Sequence, residues 1–242
     1  MYISLKVHIP NAITCCNLIS GGIATGFAFA GDFRLALAFI VLGAVFDFFD
    51  GMSARLLSVS SPIGKELDSL ADNVTFGLAP SAMLFSLLQT MCELGQWGGA
   101  MAWLPYAAFL MSAFSALRLA KFNLDERQTT SFIGLPTPAN ALFWASLLSS
   151  MGEWLVGQQL GVALAVVAMM LVSCWLLVAE LPLFALKFKH WGWHGNEQRW
   201  LFLVSSALLI VVGGLPGIAA TIVWYVILNV YNLLKTRPNK TC

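Results

Sequence analysis

Four aspartates stand where an apolar chain should not place them. Asp47 and Asp50 close the hydrophobic run Ala38 to Phe46, and Asp68 and Asp72 open the next one. Even on the most lenient insertion scale, a carboxylate at the centre of a bilayer costs about 2.5 kcal/mol. Lipid offers no compensation, so it must come from within the protein. The spacing indicates how. Residues three or four apart share a helix face, so Asp47 with Asp50, and Asp68 with Asp72, form two one-sided pairs. The segment between them, Leu57 to Gly64, is short enough to make the two helices antiparallel neighbours. Both pairs then lie at a similar depth and can face each other. Four carboxylates in one pocket cannot all stay ionised without positive charge nearby, and only Arg55 and Lys65 are close in sequence. One or two divalent cations are the natural counter-charge. All-oxygen ligation favours Mg²⁺ or Mn²⁺, with Ca²⁺ admissible, over zinc. Gly51, Ala54 and Gly64 leave room for a ligand to approach the helix backbone, although glycine also serves helix packing in membranes. Two other readings compete: the proton or cation relay of a transporter, and a salt-bridged packing core. Transporters typically interrupt helices near mid-bilayer in both halves. Here the acids gather near one end of their helices, which suits a site that meets a soluble phosphate-bearing group.

The elements that must position these acids follow from composition. Of 242 residues, 59% are hydrophobic and 10% charged, with mean hydropathy +0.79. Soluble domains carry about 25% charged residues. A net charge of +1 gives no basic footprint for nucleic acid. The apolar runs are long and unbroken rather than alternating, which excludes a β-barrel. The fold class is therefore an all-α polytopic membrane bundle forming one domain. Spans of about 20 apolar residues are expected near 12–30, 35–57, 65–91, 99–122, 137–155, 159–185, 201–214 and 216–234. Eight spans with both termini cytoplasmic put Lys6, Arg55, Lys65, Arg118, Lys121, Arg127, Lys187, Lys189, Arg199, Lys235, Arg237 and Lys240 inside and only Arg34 outside. Basic residues favour the cytoplasmic side. Fusing the last two spans across Gly213 to Gly217 would export three of these residues. Residues 1–10 are expected to form an interfacial lead-in ending at Pro10, with Asn11 capping the first span. No cleavable leader is evident. Residues 11–185 would form the catalytic core, and 186–242 a loop and helical hairpin.

The acid-rich segment also resembles a known family. Asp47-Phe-Phe-Asp50-Gly51-Met-Ser-Ala54-Arg55, eight residues, then Gly64-Lys-Glu-Leu-Asp68-Ser-Leu-Ala-Asp72 matches D-x₂-D-G-x₂-A-R-x₈-G-x₃-D-x₃-D. This is similar to the signature of the CDP-alcohol phosphotransferases, integral membrane enzymes that transfer a phosphatidyl group from a CDP-linked lipid to an alcohol and release CMP. The resemblance implies two divalent cations held by Asp47, Asp50, Asp68 and Asp72, with Asp72 also the general base. It implies a CDP-lipid site framed by Gly51, Ala54, Arg55 and Gly64. The chemistry agrees on independent grounds: a pyrophosphate needs its charge neutralised, and an attacking alcohol needs a carboxylate to take its proton. The polar face Asn11, Thr14 and Asn17 at the start of span one is a further candidate for contact with the donor, through Asn11 and Thr14 in particular.

The acceptor is addressed by a second segment. Arg118-Leu-Ala-Lys121-Phe-Asn123, followed by Phe132-Ile-Gly-Leu-Pro136-Thr-Pro138-Ala139, resembles the integral-membrane phosphatidylserine synthases and the archaeal enzymes that make archaetidylserine. The resemblance implies L-serine as acceptor. Serine's carboxylate needs a cation; Arg118 and Lys121 could supply it and Asn123 could orient it. Positive-inside topology accounts for Arg118, Lys121 and Arg127 equally well. Phe132 to Pro138 is expected to be a rigid loop beside the pocket, because Pro136 and Pro138 break helices. Glycerol 3-phosphate, inositol or inositol phosphate are alternative acceptors. A cation-coupled transporter remains the reading from another class, and a non-catalytic scaffold leaves the four aspartates unexplained. The resemblance further implies a homodimer. A compact chain of this kind suits the plasma membrane of a prokaryote, with the site facing the cytoplasm.

Other polar residues carry weaker signals. Glu180, ahead of Pro182, is expected to cap or pair within the bundle. His190 and His194 are four apart, but the surrounding Trp191, Gly192 and Trp193 favour an interfacial belt over a metal site. Cys15, Cys16, Cys92, Cys174 and Cys242 form no CxxC pair and read as small hydrophobes rather than ligands.

Overall fold

Two helical hairpins build the half of the protein that carries the acids. The computed structural model describes residues 5–125, 132–183 and 192–236. Helix α1 spans Leu5–Phe29 and α2 spans Phe33–Leu56. They turn through Gly31, at φ 79°, and Asp32 caps α2 by accepting the Leu35 N–H at 3.0 Å. A second short turn leads to α3, Pro62–Asp72, where Ser61 accepts the Gly64 N–H at 2.9 Å and Pro62 takes the first helical position. The helix then continues as one π-helical stretch, Asn73–Leu78, into α4, Ala79–Leu94. A π-bulge widens the helix by one residue per turn and is frequent at functional sites. A 3₁₀ stretch, Gly99–Ala108, runs into α5, Phe109–Leu124. Helices α6, Thr137–Val156, and α7, Leu160–Val178, follow, and α8, Glu197–Thr236, ends the described chain. The only strand pairing among the described residues is short. β1, Phe132–Ile133, lies antiparallel to β2, Pro182–Leu183.

Helix α4 is the axis of the bundle. Ala79, Ala82, Met83, Leu84, Leu87 and Leu88 are fully or almost fully buried, packed by α1, α6 and the 3₁₀ stretch. Outward faces such as Ile19, Val41, Val172 and Val211 are exposed and apolar, as lipid-facing surfaces are. Small residues set how closely the helices approach. A β-carbon at Gly21 would collide with the side chain and backbone of Thr75, and one at Gly43 would meet Thr75 and Asn17. Overpacking of this kind costs roughly 1–3 kcal/mol, occasionally more. Gly21→Val is therefore expected to lower the thermal unfolding midpoint in detergent by several degrees. Gly22→Val, with open space around it, is expected to leave the midpoint unchanged.

Six helical segments among the described residues are long and apolar enough to cross a membrane: His8–Phe29, Phe33–Leu56, Pro62–Leu94, Gly99–Leu124, Leu160–Val178 and Glu197–Lys235. The expected count of eight differs at two places. Helix α6 has 20 residues but is diluted by Thr137, Asn140, Ser146, Ser149, Ser150 and Glu153. Helix α8 is broken at Gly214, whose φ of 58° and ψ of −132° are not helical. Its halves fold back on one another: Trp224 donates to Ser205 at 3.0 Å, and the amides of Gln198 and Asn232 exchange hydrogen bonds.

Several boundaries depart from expectation. Helix α1 begins by Leu5 and runs through Pro10, so Asn11 is not its cap. Proline in the second turn removes only the bond to the Lys6 carbonyl, and the Thr14 hydroxyl oxygen lies 3.0 Å from the Pro10 carbonyl oxygen. Helix α7 stops at Val178 rather than near 185, because a helical Pro182 would clash with the Val178 carbonyl. The loop after β1 covers that end instead: Leu135 N–H donates to the Leu176 carbonyl at 2.9 Å and Gly134 N–H to Leu181 at 3.0 Å. Gly134 and Leu135 thus dock on the end of α7, while Thr137 and Pro138, expected in the loop, form the first turn of α6, where a proline costs no hydrogen bond. Glu180 lies beyond the helix and is exposed, so it caps nothing within the bundle. Cys15 and Cys16 are exposed on α1, while Cys92 and Cys174 are buried; a thiol is apolar enough to face lipid. His194 is exposed, 4.0 Å from the Glu197 carboxylate. Arg127, Lys187, Lys189, His190, Arg237, Lys240 and Cys242 lie outside the described residues.

Candidate active site at the end of the bundle

The acids meet where α2 and α3 pack against the start of α1. One ligand oxygen from each of Asp47, Asp50 and Asp68 can be chosen so that all three lie within 4.8 Å of one another. Oxygens this close are within the reach of one hard cation, with metal–oxygen distances of about 2.1 Å for Mg²⁺ and 2.3–2.6 Å for Ca²⁺. The donor set is all carboxylate, as such ions require. Asp50 is buried, and its Oδ2 accepts the Thr14 hydroxyl at 2.7 Å. Asp47 and Asp68 are half-buried.

Asp72 stands apart from this trio. It lies one turn, or about 6 Å, further along the same helix, and only 9% of its surface is exposed. Its Oδ1 accepts the Asn17 amide at 3.2 Å. Asn17 is itself fully buried, and its Oδ1 accepts the Thr75 hydroxyl at 2.7 Å. Asp72 remains within electrostatic reach of Asp47 and Asp68. Three carboxylates thus share a point, and a fourth is held beside it by a neutral amide.

A cavity of about 340 Å³ opens next to the trio, at the small end of the range for nucleotide-sized ligands. Asn11, Thr14, Gly51, Ala54 and Gly64 all line it, together with Asp50 and Asp68. A β-carbon at Gly51 would meet nothing, so the backbone there is open to the cavity. Arg55, grouped with these residues by sequence, does not line it. Its side chain is exposed and its Nε donates to the Gly51 carbonyl of its own helix at 2.9 Å. The cation in the wall is Lys65, whose ammonium donates to the Asn123 carbonyl at 2.9 Å. On the outer side of the same helix, Phe48 and Phe49 are exposed and in edge-to-face contact at 5.7 Å. Aromatic rings facing lipid thus alternate with acids facing the site.

Arg118, Lys121 and Asn123 do not converge. Arg118 is buried, stacked 5.0 Å over the Phe122 ring, and within electrostatic reach of Asp72. Lys121 is exposed. Asn123 donates its amide to Ser69 at 2.7 Å and ties α5 to α3. Other buried polar residues of α5, α6 and the π-helical stretch were not singled out from sequence. Asn73 and Ser115 flank Gly77, Ser115 lies one turn from Arg118, and Thr137 with Asn140 occupies the first turn of α6, which packs on the π-helical stretch. Ser115, Thr137 and Asn140 are fully buried. Among the described residues, Asn73 Oδ1, Ser115 Oγ, Arg118 Nε, Thr137 Oγ1 and both polar atoms of Asn140 have no hydrogen-bond partner. Burying such groups unpaired costs about 1–3 kcal/mol each, so a cluster of them calls for a polar ligand or water. The sequence signal was there, as polar pairs three apart inside otherwise apolar helices.

Comparison with known proteins agrees with this geometry. The family model for CDP-alcohol phosphatidyltransferase matches residues 7–186. A CDP-diacylglycerol–serine O-phosphatidyltransferase of Bacillus subtilis is 40% identical over 132 residues, covering 54% of this chain and 70% of its own. The protein of the same name from Mycobacterium leprae is 33% identical over 148 residues, 58% of this chain and 46% of its own. That from Methanocaldococcus jannaschii is 27% identical over 229 residues, 95% and 94% of the two chains. The matched region therefore spans less than half of the mycobacterial relative but nearly all of the archaeal one. A match that extends from the start of α1 to just past α7, with every fixed position of the aspartate signature filled, places this chain in the CDP-alcohol phosphatidyltransferase family.

Proposed function

We propose that the protein transfers the phosphatidyl group of CDP-diacylglycerol to L-serine, giving phosphatidylserine and CMP. The observation that carries this is the trio Asp47, Asp50 and Asp68 beside an open cavity, with Asp72 next to the trio and buried Arg118 within electrostatic reach of it. The names of the relatives supply the substrates. In this reading the trio, joined by Asp72, holds two divalent cations, Mg²⁺ or Mn²⁺. When bound, they neutralise the pyrophosphate and polarise the phosphorus under attack. Asn11, Gly51, Ala54 and Gly64 admit the cytidine diphosphate head, and Lys65 stands at the wall to meet its charge. Arg55 joins it only by leaving the Gly51 carbonyl. The serine hydroxyl gives its proton to Asp72 as its oxygen bonds to the lipid-bearing phosphorus, and the bond to the CMP oxygen breaks.

The acceptor pocket is assigned to Arg118 with Ser115, Thr137, Asn140 and Asn73, and Lys121 and Asn123 are set at its margin. Arg118 meets serine's carboxylate, and the uncharged side chains take its remaining polar atoms. A hydrogen bond to a charged group is worth about 1.5–3 kcal/mol, and 1.4 kcal/mol is tenfold. Arg118→Ala and Asn140→Leu are each expected to raise the KM for serine about tenfold or more, with the KM for CDP-diacylglycerol within about twofold of the parent. Equal changes in both constants would remove these residues from the acceptor pocket.

The membrane arrangement we favour has eight crossings, both termini in the cytoplasm and the site facing the cytoplasm of a prokaryotic plasma membrane. It treats residues 11–185 as the catalytic core and the rest of the C-terminal part as an added hairpin. The break at Gly214 and the antiparallel halves of α8 support it, as does the 30 Å length expected of a 20-residue α6. Homodimerisation is carried by the family resemblance alone. The direct test is CMP release by the purified protein in detergent with CDP-diacylglycerol and Mg²⁺ or Mn²⁺, across L-serine, glycerol 3-phosphate and myo-inositol. Serine-dependent release is expected. Release with another acceptor instead would overturn the serine assignment, and no release with any acceptor would return the aspartates to the transporter reading.

A further inference from the structure

We infer that Thr75 is a positioning residue for Asp72, acting through the side chain of Asn17. The inference rests on the reading of Asp72 as the proton acceptor. A carboxamide presents an acceptor at one end and donors at the other, so whatever binds its oxygen decides which way the NH₂ points. The Thr75 hydroxyl lies 2.7 Å from Asn17 Oδ1 and 3.0 Å from the Asn17 carbonyl oxygen. A hydroxyl proton directed at Oδ1 turns the amide nitrogen toward Asp72, where it donates to Oδ1 at 3.2 Å. One carboxylate oxygen is thereby held, and the other is left for chemistry. The reverse amide orientation would set a carbonyl oxygen against a carboxylate.

The surroundings are shaped around this threonine. Thr75 is fully buried in the π-helical stretch three residues beyond Asp72. Glycines on two other helices, Gly21 of α1 and Gly43 of α2, leave the space it fills, since a β-carbon at either would strike it. Three helices therefore meet on one side chain, α1 against its hydroxyl and α2 against its methyl, and the residue lines neither the open cavity nor the carboxylate trio. A residue with only a packing role would need its shape but not its oxygen. Valine keeps the shape and serine keeps the oxygen, so the two substitutions separate the roles.

The experiment compares the full chain with Thr75→Val, Thr75→Ser, Asn17→Ala and the Thr75→Val/Asn17→Ala pair, in detergent, by serine-dependent CMP release and by thermal unfolding. Displacing a catalytic group by about 1 Å can cost about a hundredfold in rate. Thr75→Val is expected to lower kcat by ten- to a hundredfold, with both KM values within about twofold and the unfolding midpoint within a few degrees. Thr75→Ser is expected to recover most of the rate. The pair is expected to be no slower than Asn17→Ala alone, the non-additivity of residues acting in series. If Thr75→Val fails to fold, Thr75→Ala decides in the same way. A kcat within threefold of the parent in Thr75→Val, or multiplicative losses in the pair, would overturn the inference. A parent protein that releases no CMP would instead overturn the transferase reading on which it rests.

Discussion

Asp72→Asn is expected to reduce serine-dependent CMP release by about a thousandfold while the protein folds and inserts normally. General bases contribute typically 10²–10⁴-fold, and asparagine removes the proton-accepting oxygen at almost unchanged volume. Asp72 differs from the other three acids in a way that makes the expectation specific to it. It lies outside the carboxylate trio and is pinned by a neutral amide rather than by a hydroxyl at the cavity wall. Single-turnover CMP release and an unfolding curve, measured side by side, decide it. A turnover within tenfold of the parent, with an unchanged unfolding midpoint, would pass the base role to another group.

Removal of divalent cations has the other large effect. EDTA is expected to abolish CMP release, and Mg²⁺ or Mn²⁺ in excess to restore it. Asp68→Asn is expected to reproduce the loss at ordinary metal concentrations, with partial recovery at high Mn²⁺. The physical reason is charge. Asp47, Asp50 and Asp68 bring three carboxylates within 4.8 Å, and among the described residues no cationic side chain forms an ion pair with any of them. Lys65 is engaged with Asn123 and Arg55 with its own helix. Calorimetric titration of the protein with Mn²⁺ provides a readout independent of turnover, and Asp68→Asn is expected to lose affinity there as well. Undiminished release in EDTA would exclude metal participation.

Much of this site was legible in sequence because it follows from helix periodicity. Spacings of three and four put Asp47 with Asp50 and Asp68 with Asp72, and the short turn between α2 and α3 made the pairs face each other. The same reasoning grouped Asn11 and Thr14, which both line the cavity beside the acids. It failed where tertiary packing chooses among equivalent residues. Arg118, Lys121 and Asn123 all fall within two turns of one helix, and only the packing of α5 on the π-helical stretch selects Arg118 for the interior. Asn140 comes from a segment that no local pattern connects to the acids, and Thr75, though three residues past Asp72, reaches Asn17 only through the packing of α1 on the π-helical stretch. The helix ends were misread for local reasons of another kind. Pro10 sits in the second turn of α1 and is carried by a helix already under way, whereas Pro182 stops α7 four residues earlier. The π-helical stretch leaves no compositional trace, since nothing in Asn73-Val-Thr-Phe-Gly-Leu78 prefers one extra residue per turn.

The alternation of Phe48 and Phe49 with Asp47 and Asp50 has a consequence for how such an enzyme meets its substrate. A lipid can present its head to the acids while its chains stay among those of its neighbours, separated from the head by the width of one helix. Nothing has to be lifted out of the membrane. The quantity that governs occupancy is then the donor's mole fraction in the leaflet, not its amount per litre. In the proposed transfer, product would return to the same two-dimensional phase from which the donor came, and only serine and CMP would cross into water. Flux through that reaction would be tied to membrane composition, so that a membrane depleted of donor would slow its own further modification without a dedicated regulatory site.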